Sequence, residues 1–419
     1  MALEFFQKAL QCTQDVDSQR RLELLKKIGD GLWWMARYPQ AQEIAKAQAE
    51  IAQAHEQPAT WADALVRMSA IQNRLGDHVL GLQYANQAVE IAQQSKSLAE
   101  LTAALFYRGV SQYRLGDTRE AKATASEGLE LSTRMEKTGG FPTARAEVAR
   151  SLNLLGMISQ TTGDYHAARD YFQQVLDFHK TTNNPSGMIA ALNNLGVHAH
   201  VRGDFKTAIE FYRQALEVVQ SVGYRDIEWV CLSNMGGAQV EIGEYKEAEE
   251  RLRYVLENAE QSGWFMLGET KRFMALSLLG QRRRQEAMEY ARDALEQARK
   301  SGGREYMGRA WRVLGMIAAK SPSGTVLLLE QSPSITAGGT REEREYPARA
   351  CFTTSAEIFR EIGGAGDLAR TQREWARHEL QRGDPALGME LWNQARAIFE
   401  NLAMQEELQR MQEEIPPSQ

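Results

Sequence analysis

The sequence predicts an all-α fold: a right-handed superhelical solenoid of about nine antiparallel helix–turn–helix repeats. Three observations predict it. A glycine followed by an acidic residue recurs at Gly76-Asp77, Gly116-Asp117, Gly163-Asp164, Gly203-Asp204 and Gly243-Glu244, at intervals of 40, 47, 40 and 40 residues, and returns at Gly383-Asp384. Fixed self-similarity of this length is the mark of a repeat array. Each turn stands between two stretches whose apolar residues recur at i, i+3, i+4 and i+7, the spacing of one helix face. Composition agrees: 43% of the 419 residues are hydrophobic but only 8% aromatic, with ten prolines and a surplus of good helix formers.

The recurring residues have physical roles. The glycine ends the first helix in a left-handed conformation that other residues reach only with strain, and the acidic residue beside it can cap the second helix. Leu155-Gly156 precedes Gly163, Tyr165, Ala168 and Phe172; Leu195-Gly196 precedes Gly203, Phe205, Ala208, Tyr212 and Ala215; Met235-Gly236 precedes Gly243, Tyr245, Ala248 and Leu252. Gly or Ala where two backbones approach, with a large residue filling the adjacent hole, is close antiparallel hairpin packing. These residues resemble the tetratricopeptide signature in a long-helix variant, the usual period being about 34 residues. The resemblance implies that the first helices line a concave face that receives a protein or peptide.

Taken in order, residues 1–16, with Ala2, Phe6, Ala9 and Leu10, match the second helix of a repeat whose first helix is missing. Arrays normally end in a capping element, so a truncation point is expected here, and with it a homodimer through the exposed N-terminal helix. Repeats are expected over 17–320: Ile28-Gly29, Tyr38 and Ala41 mark the first, Met68, Gly76 and Ala88 the second, and Gly109, Gly116 and Ala121 the third. The three units above follow, and Met274-Ala275, Ala287 and Ala294 give a seventh.

The eighth opens at Trp311 and Leu314-Gly315 and is interrupted over 321–345 by Ser-Pro twice, Gly-Gly and an apolar run at 326–329. That composition reads as a loop insertion. It is either a disordered or hairpin-like surface insertion or an apolar segment that docks into the groove or onto a partner. The end of the eighth repeat and the ninth occupy 346–403, with Phe352, Trp375-Ala376, Trp392 and Ala395, and 404–419 reads as a polar C-terminal tail stopped by Pro416-Pro417. The segments 355–363, 367–371 and 395–399 are similar to the C-terminal tetratricopeptide arrays of bacterial regulatory ATPases. This implies a sensor or scaffold arm of a bacterial signalling protein.

The formal charge of −6 is spread in mixed signs, which leaves no electrostatic footprint for nucleic acid. No run approaches the roughly 18 apolar residues of a membrane span, and the N-terminus lacks a signal-peptide layout, so a cytoplasmic location is expected. Cys12, Cys231 and Cys351 are too scattered for a disulfide framework or a metal knuckle and read as small buried hydrophobes. His198 and His200 stand two apart on a helix and face different ways. There is no phosphate loop, nucleophile elbow or HExxH motif. No catalytic residue, metal or cofactor is therefore expected, and the chain is not read as an enzyme.

Groove candidates are the positions near each Leu-Gly pair: Asn153, Asn193, Asn194 and Asn234, then Tyr113 and Arg114, then Arg272, Arg309 and Arg312. Asparagine suits helix interiors poorly because its amide competes for backbone hydrogen bonds. Such amides either grip the backbone of an extended peptide or bond neighbouring helices together. The arginines either pair with carboxylates or phosphates of a partner or are ordinary exposed residues. The leading expectation is a protein or peptide ligand in the concave groove. The alternative is an inducer-binding regulatory domain of a transcription activator or ATPase, which needs a closed, largely apolar pocket.

Overall fold

The computed structural model describes residues 8, 18–35, 37–139, 144–222, 225–259, 266–331 and 341–414. The partial repeat expected over 1–16 and the dimer expected through it, together with Cys12, lie outside the described residues but for Lys8.

Nineteen helices are present among them, and sixteen pair as eight hairpins. They are α1 (Ser18–Trp34) with α2 (Tyr38–Ala54), α3 (Pro58–Leu75) with α4 (His78–Gln94), and α5 (Leu98–Leu115) with α6 (Thr118–Thr138), followed by the helices α7 (Ala144–Thr161) and α8 (Tyr165–Thr181). Then come α9 (Pro185–Arg202) with α10 (Phe205–Val222), α11 (Arg225–Glu241) with α12 (Tyr245–Ala259), and α13 (Leu267–Gly280) with α14 (Arg284–Ser301). The last pairs are α15 (Arg304–Ala319) with α16 (Ala348–Glu361) and α17 (Ala365–Arg382) with α18 (Pro385–Asn401); α19 (Gln405–Glu414) follows alone. The chain divides into two compact units, Met1–Ile158 and Ser159–Gln419, each a stack of such hairpins.

The turn chemistry follows the expected rule. Gly203 ends α9 with φ 89°, the Asp204 N–H donates back to the Ala199 carbonyl at 3.0 Å, and the Asp204 carboxylate accepts from the Thr207 N–H at 3.1 Å to cap α10. Gly383 departs from it, with φ −121°. There the buried carboxylate of Glu379 holds the turn instead, accepting from the Asp384 N–H at 2.9 Å and from Trp375 Nε1 at 2.8 Å.

Hairpin packing matches the Gly/large pattern. A methyl group on Gly196 would stand 2.4 Å from the Tyr212 ring, one on Gly236 2.9 Å from Leu252, and one on Gly315 2.7 Å from Phe352. In each unit the core lies between the two helix layers. Ile28, Leu32, Met68, Ile71 and Leu105 belong to the first; Leu252, Met274, Leu314, Phe352 and Phe399 belong to the second. Cys231 and Cys351 are fully buried free thiols within the second unit.

Within the insertion at 321–345, β1 (Thr325–Gln331) pairs antiparallel with β2 (Arg341–Pro347), Leu328 lying opposite Arg344. Successive side chains alternate as a strand requires. Val326 and Leu328 are buried in the second unit's own core while Leu327 is exposed. Tyr346 of β2 meets the Trp311 ring at 5.2 Å. The reading of 404–419 as a polar tail is corrected over its described residues, 404–414: these contain α19, where Glu407 and Met411 are buried, and Pro416-Pro417 lies outside the described residues.

Candidate functional site

In the second unit the first helices of successive hairpins, α9, α11, α13, α15 and α17, are joined to one another by a polar ladder that ends on α19. At its start, Asn234 Nδ2 on α11 donates to Asn193 Oδ1 on α9 at 2.9 Å, and Asn194 is half-buried beside it on α9. The next rung joins Ser233 of α11 to Thr270 of α13 by their hydroxyls at 2.7 Å. Then the ladder becomes ionic. Arg272 Nε donates to Glu269 Oε1 at 2.8 Å within α13, and Arg309 Nη1 of α15 approaches the same oxygen at 3.6 Å.

Arg309 and Arg312 converge on Asp367 of α17: Arg309 Nη2 donates to Oδ2 at 2.9 Å and Arg312 Nη1 to Oδ1 at 2.8 Å. Burial alone would raise the Asp367 carboxyl, but Arg309 and Arg312 overcome it and hold the group well below the usual carboxylate range. One turn further along α17, Arg370 Nε donates to Glu407 Oε1 at 2.6 Å, and Arg373 donates to Glu407 Oε2. Glu407 is again pushed up by burial and held far down by Arg373 and Arg370.

The helix that carries Glu407 returns to the beginning of the ladder. Arg410 donates to the Glu241 carbonyl on α11 at 2.8 Å, Arg202 of α9 donates to the Ala403 carbonyl just before α19 at 3.2 Å, and Arg370 donates to the Val201 carbonyl. The inward helices of the second unit therefore form a closed circuit. Its arginines are each engaged by a carboxylate or carbonyl of the chain itself.

Sequence reasoning placed Arg272, Arg309 and Arg312 on inward helices, and the structure brings them together, but on internal carboxylates. It missed Glu269, Asp367, Arg370, Arg373 and Glu407. A signal existed: Glu269/Arg272, Arg309/Arg312 and Asp367/Arg370/Arg373 recur at i, i+3 on first helices, the spacing that places side chains on one face. Tyr113, Arg114 and Asn153 belong to the first unit. The Arg114 guanidinium stands 5.9 Å from the Tyr113 ring, and Asn153 Nδ2 lies 3.9 Å from Met157 Sδ, so neither joins the asparagine pair.

The first unit has its own inward feature, a cavity of about 430 Å³ lined by α1, α2, α3, α5 and the first turns of α7. Trp33 forms one wall, and its ring meets Tyr38 edge-on at 5.4 Å. Among the described residues no three His, Cys, Asp or Glu side chains gather as a metal ion requires, and no helix is long and apolar enough to cross a membrane.

Tetratricopeptide-repeat family models match residues 103–127, 148–186 and 187–261 of the chain. No curated protein matches it. Among solved structures it is similar to a Rap protein complexed with competence and sporulation factor, at 12% identity over 93% of this chain and 99% of that chain, with a TM-score of 0.66. It is also similar to the Rap conjugation gene regulator of plasmid pLS20 in complex with the Phr* peptide, at 13% identity over 93% and 98% of the two chains, TM-score 0.58. A third is aspartyl phosphate phosphatase F from Bacillus subtilis, at 13% identity over 89% and 93%, TM-score 0.54. At such identities the likeness is one of fold, and the fold is an all-α tetratricopeptide-repeat solenoid.

Proposed function

We propose that this tetratricopeptide-repeat solenoid is the peptide-binding element of a bacterial regulator, and that it holds an extended peptide on the asparagine strip of its second unit. The observation that carries the reading is the Asn193–Asn234 pair. Each amide offers two donor hydrogens and one acceptor, and their mutual bond at 2.9 Å consumes one donor of Asn234 and the acceptor of Asn193. Both donors of Asn193 and the acceptor of Asn234 keep no partner among the described residues. A donor and an acceptor on neighbouring inward helices match what a peptide backbone presents, one C=O and one N–H per residue.

Two similar structures, the Rap protein with competence and sporulation factor and the plasmid regulator with Phr* peptide, are complexes with such ligands, which supports the same use of the fold here. One similar structure is a phosphatase, but catalysis needs groups left available to a substrate. In the second unit of this chain Asp367 and Glu407 are committed to arginines.

The test is selection of linear peptides from a random displayed library, followed by titration of the winners against wild type and Asn193→Ala/Asn234→Ala. Removing both partners of one hydrogen bond leaves no orphan and is nearly neutral for folding. The two bonds lost to the peptide are worth about 1 kcal/mol each, a weakening of about tenfold or more. Peptides that bind the double variant as tightly as wild type would remove the asparagine strip from the reading.

A further inference from the structure

The cavity of the first unit has an unbalanced charge inventory. Of its lining groups, Arg67 is satisfied on both sides, with Nη1 donating to Asp30 at 2.6 Å and Nε to Asp63 at 3.1 Å, and Lys26 stands 3.4 Å from the same Asp63. Arg150 Nη1 donates to Glu147 Oε1 at 2.9 Å. The second oxygen of Glu147 has no hydrogen-bond partner among the described residues, although it is buried and the residue as a whole is only 7% exposed.

Counted around the cavity, four carboxylates (Asp30, Asp63, Glu100, Glu147) face three cations (Lys26, Arg67, Arg150). Burial pushes the Glu147 carboxyl up and Arg150 only opposes that push, as expected of a carboxylate short of one partner. A buried acceptor left unmade costs about 1–3 kcal/mol, and more when it is charged, so this oxygen calls for a donor, best a cationic one.

The rest of the lining is mixed: Gln48 and Tyr107 bring polar groups, while Trp33, Ile44, Val66, Ala70, Ile71 and Ala103 supply aromatic and aliphatic surface. A volume of about 430 Å³ is that of a small-ligand site. A partly apolar wall with one under-partnered carboxylate suits a molecule with an apolar stem and a positively charged end.

We propose that this cavity binds an organic cation, a primary ammonium or guanidinium on an apolar stem, with Glu147 Oε2 as its counter-ion and Trp33 against its stem. The proposal goes beyond the peptide reading and uses none of its residues. The same headgroup occurs in free amines and in a lysine or arginine side chain, and the two sources are separated by the probes.

The experiment is calorimetric titration of the full chain at neutral pH with phenethylamine, with phenethyl alcohol as its uncharged isostere, and with a lysine tripeptide capped at both ends. Phenethylamine, the capped peptide or both should bind about tenfold or more tighter than the alcohol, the worth of one charge-assisted hydrogen bond. Glu147→Gln, which keeps the shape of the side chain, should bring the cation down to the affinity of the alcohol. Ala103→Leu, which crowds the cavity without touching Glu147, should weaken cation and alcohol alike. Binding of the free amine alone identifies a small-molecule site, and of the capped peptide alone a basic side chain. Equal binding of amine, peptide and alcohol, indifference to Glu147→Gln, or no binding of either cation overturns the proposal.

Discussion

His198 carries a pH dependence in the histidine range, above that of the carboxylates held low by arginines. Both its ring nitrogens lack a partner among the described residues, and the ring sits 6.1 Å from Tyr165 and 6.4 Å from Phe172. Burial first, then Arg202 and Arg169, lowers its pKa to about 4. An unfolded chain protonates histidine at about 6.5. Between these values the unfolded state binds more protons than the folded one, so stability is full above about pH 6.5 and is lost as pH falls toward about 4. His198→Phe should flatten the fall of Tm across this window in part, since His200, lowered to about 4 by its own burial, and His78, His179 and His378, also lowered by burial, contribute in the same direction. An unaltered slope would refute the assignment. Gly196 is a second residue-scale case, because Tyr212, which a methyl group would strike at 2.4 Å, is fully buried and has nowhere to go. Gly196→Ala should cost about 1–3 kcal/mol in denaturant unfolding, as overpacking does. At this scale the asparagines were legible, since residues poorly suited to helix interiors advertise another use. The carboxylates that occupy Arg309 and Arg312 were not, because Asp367 is one of 55 acidic residues and its burial depends on helices far along the chain.

At the scale of elements, the hairpins were readable because most rest on local rules: a left-handed glycine, a capping carboxylate, a small residue under a large one. Two segments lack local rules of that kind. β2 has no apolar alternation, its Glu343, Arg344 and Glu345 being exposed, and its pairing comes from the backbone of β1. In α19 a single apolar residue, Met411, is fully buried, and what docks the helix is Glu407 between Arg370 and Arg373. A buried ion pair is weak evidence of net stability, yet removing one partner strands the other charge, at about 3–5 kcal/mol. Glu407→Gln should therefore lower the Tm of the chain and expose the C-terminal segment to protease at sites that wild type protects. Arg410→Ala, which leaves the buried pair whole, should do much less. Equal effects of the two variants would mean that α19 is held by its general packing and not by Glu407.

Across the concave face of the second unit as a whole, positive charge is spent internally. Arg272, Arg309, Arg312, Arg370 and Arg373 meet Glu269, Asp367 and Glu407, and Arg373 also reaches Glu374 at 3.1 Å. On the proposed reading, a peptide arriving there finds amides with open positions and arginines already engaged by the chain's own carboxylates, so its affinity comes mainly from backbone hydrogen bonds and apolar contact. Such binding responds little to ionic strength, whereas capture of an acidic or phosphorylated ligand by bare arginines is screened steeply by salt. For a library-selected peptide, Kd should therefore change by less than about threefold between about 0.05 and 0.5 M salt, where the Debye length shrinks severalfold. The competing outcome has its own signature. If the arginines leave Asp367 to hold the ligand, affinity falls steeply with salt, and Asp367→Asn, which frees Arg309 and Arg312, tightens an acidic peptide instead of leaving it unchanged. Salt titration of wild type beside Asp367→Asn thus decides whether the ionic ladder is scaffold or binding surface. Charges already paired at 2.8 and 2.9 Å in the unliganded chain argue for scaffold.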